Sequence, residues 1–440
     1  MPLPYPVIVV PGITASYLRD QYPISPETVW SVLTREYERA ALHPDDLRYE
    51  AMEPARLLPD QVFEIAYREL IEELRYNLRR KEDQPVPVYP FPYDWRQPLE
   101  HTSAQLGDFI KEVIDRTKLM RHYHKETAND AFIKNPKVNL VGHSMGGLVI
   151  AGTMAQRKAD ARVNRIATLA TPFQGSYEAV IKVITGTANL GTSAPSSRER
   201  ESARLTPALY HLLPRFEGAV TGEADGVSTN LFDSAAWQSG VRDSISEFVR
   251  LHGVNPGKRT AQAAELFKGM LGTANEFLTA LDGFQLADAD MTEKNWLVVA
   301  GVDTDTRVRL RSGGTPSAPE FLLSNGDRMN HWRDGDSAAE RRLTGDGTVP
   351  FNGAIPPFMD LSNVVCVTPD DYGYWELQDR ATTKAAGFHG ILPNMNMLHR
   401  MLVRFFTGAP DRRGNTWGRP APGVSPGDWA PALSLSRSDD

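Results

Sequence analysis

The sequence predicts an α/β fold in which helices flank a mostly parallel central sheet. Six short segments are almost uniformly apolar and rich in β-branched residues, which is typical of strands buried on both faces of a parallel sheet. Segments with helical periodicity separate most of them, as the crossover helices of parallel sheets do. The predicted strands are Val7–Val10, residues 86–89, residues 138–141, Val163–Leu169, residues 296–300 and Val364–Val367.

Two of the separating segments have a clear helical pattern. They span residues 62–80 and residues 99–119. In the second segment, apolar side chains recur every three or four residues and therefore share one helix face. These side chains are Leu106, Phe109, Ile110, Val113 and Ile114.

The composition excludes some classes of protein. With 41% hydrophobic and 23% charged residues over 440 positions, the chain has a globular composition and enough length for one large domain with an insertion or for two ordinary domains. The formal net charge is −7 and no long block of Lys or Arg occurs, so the basic footprint of a nucleic-acid-binding protein is missing. We therefore expect no nucleic-acid partner.

The sequence also lacks signals for a membrane or an oxidising compartment. Cys366 is the single cysteine, so no disulfide forms within the chain. The first strand begins at Val7 with neither a basic region nor a signal-length apolar stretch before it, and no run of about 18 apolar residues follows. A cytoplasmic location is therefore expected.

The strand pattern stops over residues 176–290, where helical segments alternate with polar links rich in Gly and Ser. We interpret this stretch as a helical cap inserted into a sheet domain made of residues 1–175 and residues 291–407. Two segments of the cap carry apolar faces, which we expect to pack on the core and which would also line a site beneath the cap. Residues 408–440 are rich in Pro, Gly, Ser and Asp without periodicity, so we expect a mobile tail.

The strongest motif directly follows the strand predicted at residues 138–141. It reads Gly-His-Ser-Met-Gly-Gly over residues 142–147 and leads into an apolar helical pattern. In the nucleophile elbow of α/β-hydrolases, a serine is strained at a sharp turn from strand to helix, and flanking glycines remove Cβ atoms that would collide. The pentapeptide alone is weak evidence, but the strand before it and the helix after it make Ser144 the candidate nucleophile.

A serine at its ordinary pKa needs a general base, and in this fold a histidine follows both the serine and an acid along the chain. Of ten histidines, His389 and His399 lie late enough. His399 falls in a helical pattern over residues 395–406, where packing or solvation is its expected role. His389 lies in a Gly-Phe-His-Gly loop after the last predicted strand, so we favour it as the base.

Asp346 is the favoured acid. It stands in a glycine-framed loop, where a carboxylate can accept the imidazole N–H and fix the histidine tautomer. Asp303 and Asp305, just after the strand predicted at residues 296–300, are the alternatives. An Asx-type turn is the competing explanation of Asp346.

Negative charge on an ester carbonyl oxygen is usually stabilised by two backbone N–H groups, which form an oxyanion hole. One is assigned to Met145, the residue after the candidate nucleophile. The other is assigned to the Pro-Gly-Ile-Thr loop after the first strand, where we favour Ile13, with Thr14 as second choice.

Taken together, these motifs resemble the lecithin:cholesterol acyltransferase family of α/β-hydrolases, which includes lysosomal phospholipase A2. The resemblance runs in order from about residue 7 to about residue 406, outside the cap and the tail. Its most specific part is Tyr-Asp-Trp-Arg at residues 93–96, for which we expect an ion pair between Asp94 and Arg96 or with a neighbouring residue; in the family this element is structural. The other matching elements are residues 7–12, 142–146, 170–176 and 345–349, and His389.

The resemblance implies an α/β-hydrolase core with a cap and a lid, no metal or other cofactor, and hydrolysis or transfer of acyl esters of phospholipids or neutral lipids. The partners it implies are a lipid or ester substrate and a membrane surface in peripheral contact. The resemblance places the family's lid at residues 23–58, which include Trp30, but it carries no lid residue over to this chain. Unlike the family's secreted and lysosomal animal members, this chain has no signal peptide and no disulfide, so a bacterial-type intracellular relative is the better comparison.

Three functions fit these residues. The favoured one is a serine esterase, lipase or phospholipase that forms an acyl-enzyme through Ser144, His389 and Asp346. A lipid acyltransferase would use the same residues. A hydrolase-fold protein with a binding or regulatory role is the third alternative, and the presence of all three residues argues against it.

Overall fold

The structure is a computed structural model that describes residues 3–125, 130–186, 197–333, 335–373, 376 and 387–437. The described strands are β1 (Val7–Val10), β2 (Ser16–Asp20), β3 (Glu27–Trp30), β4 (Leu42–His43), β5 (Asp46–Glu50), β6 (Leu57–Val62), β7 (Val88–Pro90), β8 (Val138–His143), β9 (Val163–Leu169), β10 (Val220–Gly222), β11 (Trp296–Gly301), β12 (Thr306–Arg307), β13 (Leu310–Thr315), β14 (Ala318–Leu322), β15 (Arg328–Met329), β16 (Val364–Val367), β17 (Trp417–Pro420) and β18 (Ser436–Arg437).

The described α-helices lie between these strands. They are α1 (Tyr37–Ala40), α2 (Glu64–Asn77), α3 (Leu99–Lys118), α4 (Arg121–His124), α5 (Ala131–Lys134), α6 (Met145–Arg157), α7 (Tyr177–Thr185), α8 (Ser197–Arg204), α9 (Pro207–Tyr210), α10 (Ser239–His252), α11 (Arg259–Asp282), α12 (Phe388–Ile391) and α13 (Asn396–Thr407). No helix in the described ranges has the length and apolar character that a membrane span requires.

An eight-stranded sheet forms the centre of the molecule, in the order β18-β17-β16-β11-β9-β8-β1-β7. All neighbours from β16 to β7 are parallel, whereas β17 pairs antiparallel with β16. All six predicted strands lie in this sheet, with ends that differ by at most two residues. The predicted α/β fold class, with a mostly parallel sheet and flanking helices, is confirmed.

Each face of the sheet is covered by its own core. Along β1, Ile8 and Val10 point into one cluster while Val7 and Val9 point into the other, as the two-residue period of a strand requires. The first cluster includes the buried faces of α3, α6, α10 and α11. The second includes those of α2 and α13. Because both faces are covered, the strands carry apolar residues at nearly every position.

The stretch between β9 and β11 contains α7 to α11 and β10, in agreement with the helical character predicted for residues 176–290. The apolar faces of α10 and α11 are buried, and α11 packs on α3 and α6. A Cβ atom at Gly152 of α6 would come within 2.6 Å of the ring of Phe277 on α11, so the two helices are in close contact. The apolar face of α11 therefore packs in the core.

The small sheet β10-β13-β14 joins this stretch to residues that follow β11, since β10 pairs with β13. Its strands therefore come from both sides of the boundary at residue 290. The division into a sheet domain and a cap over residues 176–290 stays a prediction.

The segment beyond residue 408 differs from the mobile tail that its composition predicts. Residues 417–420 form β17, which pairs with β16 at the edge of the central sheet, and β18 pairs with β17. Arg419 forms an ion pair with the buried Asp371, with its Nη1 2.7 Å from Oδ2. A four-residue strand that contains Gly and Pro has no sequence pattern of its own, so only its tertiary partners reveal it.

Candidate active site

Ser144 occupies a sharp turn between β8 and α6. Its backbone has φ 53° and ψ −131°, a strained conformation for a residue with a side chain, and α6 begins at the next residue. The turn is tight: a Cβ atom at Gly146 would lie 2.2 Å from the carbonyl oxygen of Val10, so only glycine fits there. The Ser144 side chain lies at the carboxyl edge of the parallel strands, where open α/β sheets form their ligand sites.

The structure brings His389 and Asp346 to Ser144. The Nε2 atom of His389 lies 2.9 Å from the Ser144 Oγ, and its Nδ1 lies 2.7 Å from Oδ2 of Asp346. The backbone N–H of His389 also donates to the carbonyl oxygen of Asp346, at 3.1 Å. These distances fit a hydrogen-bonded chain from the carboxylate through the imidazole to the hydroxyl.

The carboxylate of Asp346 is oriented by its own loop. Its Oδ1 accepts the N–H groups of Thr348 at 2.9 Å and Val349 at 2.7 Å, which leaves Oδ2 for the imidazole. The Asx-type turn considered as the competing explanation is therefore present, and it directs the carboxylate towards His389. Asp346 is 1% exposed, so water does not compete for these bonds.

The alternative residues have other partners. Asp303 Oδ1 accepts from the side-chain amide of Asn330 at 2.8 Å, and Asp305 pairs with Arg328 at 2.8 Å. His399 is buried in α13 and its Nε2–H donates to the carbonyl oxygen of Pro393 at 2.7 Å. None of the three forms a hydrogen bond with Ser144 or His389 among the described residues.

The loop after β1 lies directly against Ser144. A Cβ atom at Gly12 would stand 3.0 Å from the Ser144 Cβ and 3.3 Å from its Oγ. The neighbouring Ile13 and Thr14 follow in the same loop, and Thr14 has a positive φ of 61°. Met145 is the first residue of α6, where a backbone N–H has no partner within the helix. Backbone N–H groups thus lie on two sides of the serine.

Side chains from other elements fix this loop. Tyr93 O–H donates to the carbonyl oxygen of Pro11 at 2.9 Å, and Trp30 Nε1–H donates to that of Thr14 at 2.9 Å. Trp30 lies in the segment that the family resemblance identifies as a lid, so this part of that segment is bonded to the loop beside Ser144. The sequence contains no signal for either bond.

His143 and Tyr67 form a buried chain that the sequence did not reveal. Tyr67 on α2 accepts the N–H of Gly12 at 2.9 Å, and its hydroxyl lies 2.8 Å from Nδ1 of His143. Nε2 of His143 lies 2.9 Å from the carbonyl oxygen of His389. Burial, together with nearby His389, lowers the pKa of His143 well below 6.5. A histidine next to the candidate serine was visible in the sequence, whereas its partners depend on the fold.

The Tyr-Asp-Trp-Arg element braces the loop region around α1 and β5. Arg96, 1% exposed, forms ion pairs with Asp94 at 2.8 Å and with Glu50 at 2.9 Å. It also donates to the carbonyl oxygen of Ala40 at 3.1 Å. The predicted ion pair between Asp94 and Arg96 is confirmed. Through Arg96 the element also contacts Ala40 of α1 and Glu50 of β5.

A charged group from α7 also lies near the site. Burial raises the pKa of Glu178, while the positive charges of Arg328 and Arg307 act in the opposite direction. The Glu178 carboxylate stands 3.7 Å from the Arg328 guanidinium. No group of three His, Cys, Asp or Glu side chains suited to holding a metal ion occurs within the described parts of the chain.

A family model described as lecithin:cholesterol acyltransferase matches residues 64–250. The resemblance to this family is confirmed over that part of the chain, which contains Ser144 and residues 93–96. The family match extends into the stretch predicted as a cap. The motifs in the sequence had placed that stretch outside the resemblance. Asp346 and His389 lie beyond it, so their assignment stands on geometry and chain order.

Among solved structures, a chain of the Tle4–Tli4 complex is similar with a TM-score of 0.60 and 14% sequence identity, covering 93% of this chain and 100% of that chain. At 14% sequence identity, this similarity is evidence for a shared fold alone. Lipase 1 from Pelosinus fermentans is 13% identical with a TM-score of 0.32, covering 82% of this chain and 86% of that chain. No curated protein matches this chain.

Proposed function

Because the chain resembles the lecithin:cholesterol acyltransferase family over residues 64–250, we propose that it is a serine hydrolase that cleaves carboxylic esters of lipid-like substrates. One observation carries the proposal. Asp346, His389 and Ser144 are joined by hydrogen bonds of 2.7 Å and 2.9 Å, with the serine at a strained turn between strand and helix. This is the arrangement that activates a serine hydroxyl for nucleophilic attack.

In the first half of the reaction, Ser144 becomes acylated. His389 Nε2 takes the hydroxyl proton while the Oγ atom attacks the ester carbonyl carbon, and Asp346 accepts the hydrogen bond from the imidazolium Nδ1–H. The carbonyl oxygen becomes an alkoxide, which the N–H of Met145 and an N–H of the loop after β1, at Ile13 or Thr14, stabilise. The C–O bond then breaks, and the alcohol leaves with the proton that His389 returns.

In the second half, an acceptor removes the acyl group. His389 takes a proton from the incoming acceptor, whose oxygen attacks the acyl carbon, and the proton then returns to the Ser144 oxygen as that bond breaks. With water as acceptor the product is a carboxylic acid, and with an alcohol it is a new ester. The acyltransferase alternative rests on the same residues and is favoured only by the name of the matching family.

The lipid-like character of the substrate rests on the family match, since hydrolase folds serve many esters. We infer a lipid ester as substrate and a membrane surface as a peripheral partner.

Steady-state and burst kinetics test the proposal. The purified protein is expected to hydrolyse p-nitrophenyl esters with release of one equivalent of p-nitrophenol before the steady state, if deacylation is the slower step. Ser144→Ala is the matched variant, because it removes one buried oxygen and leaves the turn intact. If folded parent and Ser144→Ala hydrolyse these esters and phospholipid vesicles at the same rate, the proposal is wrong.

Product analysis separates hydrolysis from transfer. With a labelled acyl ester and a primary alcohol present, a hydrolase yields mainly the free acid, whereas an acyltransferase yields mainly the new ester. Ser144→Ala yields neither product if both proceed through the acyl-enzyme.

A further inference from the structure

A buried network of side chains connects two parts of the site. The loop of residues 11–14 carries one N–H of the oxyanion hole, while His389 belongs to a distant part of the chain. Both lie against Ser144, which is 7% exposed. Small displacements are costly at such a site, since a misplacement of about 1 Å lowers a rate by roughly 10²-fold.

The chain of hydrogen bonds from Gly12 to His389 has one consistent direction. The Gly12 N–H is only a donor, so the Tyr67 oxygen accepts it, at 2.9 Å. The His389 carbonyl oxygen is only an acceptor, so His143 donates its Nε2–H to it, at 2.9 Å. A neutral His143 then has a free lone pair on Nδ1, which accepts the Tyr67 hydroxyl proton at 2.8 Å.

The surroundings keep this chain intact. Tyr67 and His143 are both buried, so water does not compete for the bonds. Tyr67 is held by its neighbours on the apolar face of α2, which are Leu70, Ile71 and Leu74. The rings of His143 and His389 are 5.0 Å apart, so His143 also packs against the imidazole it supports. Removing one member leaves buried polar atoms without partners.

We propose that Tyr67 and His143 are positioning residues, which hold the oxyanion-hole loop and the His389 backbone at a fixed distance across Ser144. The inference rests on the proposed function and deepens it. Neither side chain is bonded to Ser144. His143 acts through His389, which is bonded to the serine, and Tyr67 acts through Gly12, which lies in close contact with it. Their removal is expected to weaken stabilisation of the transition state more than binding of the substrate.

Tyr67→Phe is the principal test, because it keeps the ring and removes only the hydroxyl. We expect kcat for p-nitrophenyl butyrate to fall about tenfold with KM changed less than about twofold. The Ki of an alkylboronic acid, which forms a tetrahedral adduct with the serine, is expected to rise by a similar factor.

Tyr123→Phe is the matched control. Tyr123 is equally buried and its hydroxyl donates to the carbonyl oxygen of Pro4 at 2.7 Å, before β1 and thus at the opposite edge of the sheet. Tyr123→Phe loses one buried hydroxyl hydrogen bond, whereas Tyr67→Phe loses two, so some loss of stability is expected in the control without the change in kcat or Ki. Equal kinetic losses in both variants would show a general structural effect and overturn the inference.

A double-mutant cycle tests whether the two residues act as one chain. Tyr67→Phe, His143→Phe and the double variant are each compared with the parent by kcat and by thermal melting. Coupling predicts that the double variant is little slower than the slower single one. Losses that multiply, or a folded Tyr67→Phe with parental kcat and Ki, would contradict the inference while leaving the proposed function intact. An inactive parent that no fluorophosphonate labels would instead refute the proposed function.

Discussion

At the scale of single residues, the site depends on which hydrogen-bond partner each oxygen and nitrogen atom has. Asp346 uses one carboxylate oxygen for its own loop and the other for His389, so the imidazole has one orientation. His389 is then left with Nε2 facing the Ser144 hydroxyl. A carboxylate without the loop bonds would be free to rotate, and the imidazole tautomer would not be fixed.

The first prediction concerns these three side chains. Ser144→Ala and His389→Ala are each expected to lower kcat by about 10⁶-fold, and the double variant is expected to be little worse, because nucleophile and base act as a unit. Asp346→Asn is expected to lose about 10⁴-fold through the wrong imidazole tautomer. The measurement is the hydrolysis rate of p-nitrophenyl butyrate by folded variants.

Asp303→Asn is the control for the acid, because Asp303 is bonded to Asn330. It is expected to keep most of the activity. If Asp303→Asn lost most of its hydrolysis rate while Asp346→Asn kept most of it, the acid would have been assigned to the wrong residue.

The second prediction concerns pH and stability. Burial lowers the pKa of His143 and of His399 in the folded protein, so below about 6.5 the unfolded chain binds more protons than the folded one. The free energy of unfolding is therefore expected to decrease as the pH falls below about 6.5, by up to about 1.4 kcal/mol per pH unit for each such histidine. Glu178, whose pKa is raised by burial, acts in the opposite direction.

Urea denaturation of the parent and of His143→Gln from pH 7.5 to pH 5 measures this effect. The variant is expected to lose less stability on acidification than the parent. His101→Gln is the control, since His101 is exposed on α3. Parallel curves for the parent and His143→Gln would mean that His143 does not contribute.

The catalytic candidates were predictable from the sequence, but their supports were not. Ser144 has a motif, and Asp346 and His389 follow from chain order and glycine-rich loops. Tyr67 has no such signal, because it is one aromatic residue on the apolar face of a helix. Its role exists only because α2 packs beside the loop after β1, which is a long-range contact.

At the scale of helices and strands, burial on both faces made the central sheet predictable. Strands β1, β8 and β11 are buried at every position, so their composition is distinctive. Strand β6 alternates irregularly between buried and exposed positions and contains Pro59, so it has no readable period. Strands of that kind form through their neighbours, here β2.

The third prediction concerns α11. Phe277 packs against Gly152 of α6, so Phe277→Ala is expected to lower the free energy of unfolding by about 3–5 kcal/mol. Because this side chain belongs to the core, the order of preference among p-nitrophenyl esters of increasing chain length is expected to stay the same. Urea denaturation and kcat/KM across the ester series are the two measurements.

Lys268→Ala is the matched control, as Lys268 is exposed on the same helix. Its stability is expected to stay within about 0.5 kcal/mol of the parent. A selective loss of activity on long esters in a stable Phe277→Ala would show that this side chain contacts the acyl group.

At the scale of the whole molecule, the last part of the chain adds strands to the central sheet. The strand β17 covers the edge of β16, and the Asp371 carboxylate accepts both the Arg419 guanidinium and the Trp417 indole N–H, the latter at 2.7 Å. Composition predicted mobility for this segment because Gly and Pro dominate it. The buried ion pair between Arg419 and Asp371 depends on the fold, so composition alone does not predict it.

The fourth prediction follows from that ion pair. Arg419→Ala leaves the Asp371 carboxylate buried with one partner fewer, so a loss of about 3–5 kcal/mol in the free energy of unfolding is expected. Arg413→Ala, at an exposed position of the same segment, is the control and should be nearly neutral. The two melting curves are compared; coincident curves would mean that this edge does not stabilise the fold.

The proposed function depends first on Ser144 as the nucleophile of an ester hydrolase. Mass spectrometry of peptides tests this after reaction with an alkyl fluorophosphonate, which adds to an activated serine with loss of fluoride. One adduct per chain is expected, on the peptide that contains Ser144, with far slower labelling of His389→Ala and none at this site in Ser144→Ala. An adduct on another residue, or a folded parent protein that stays unlabelled, would contradict the claim.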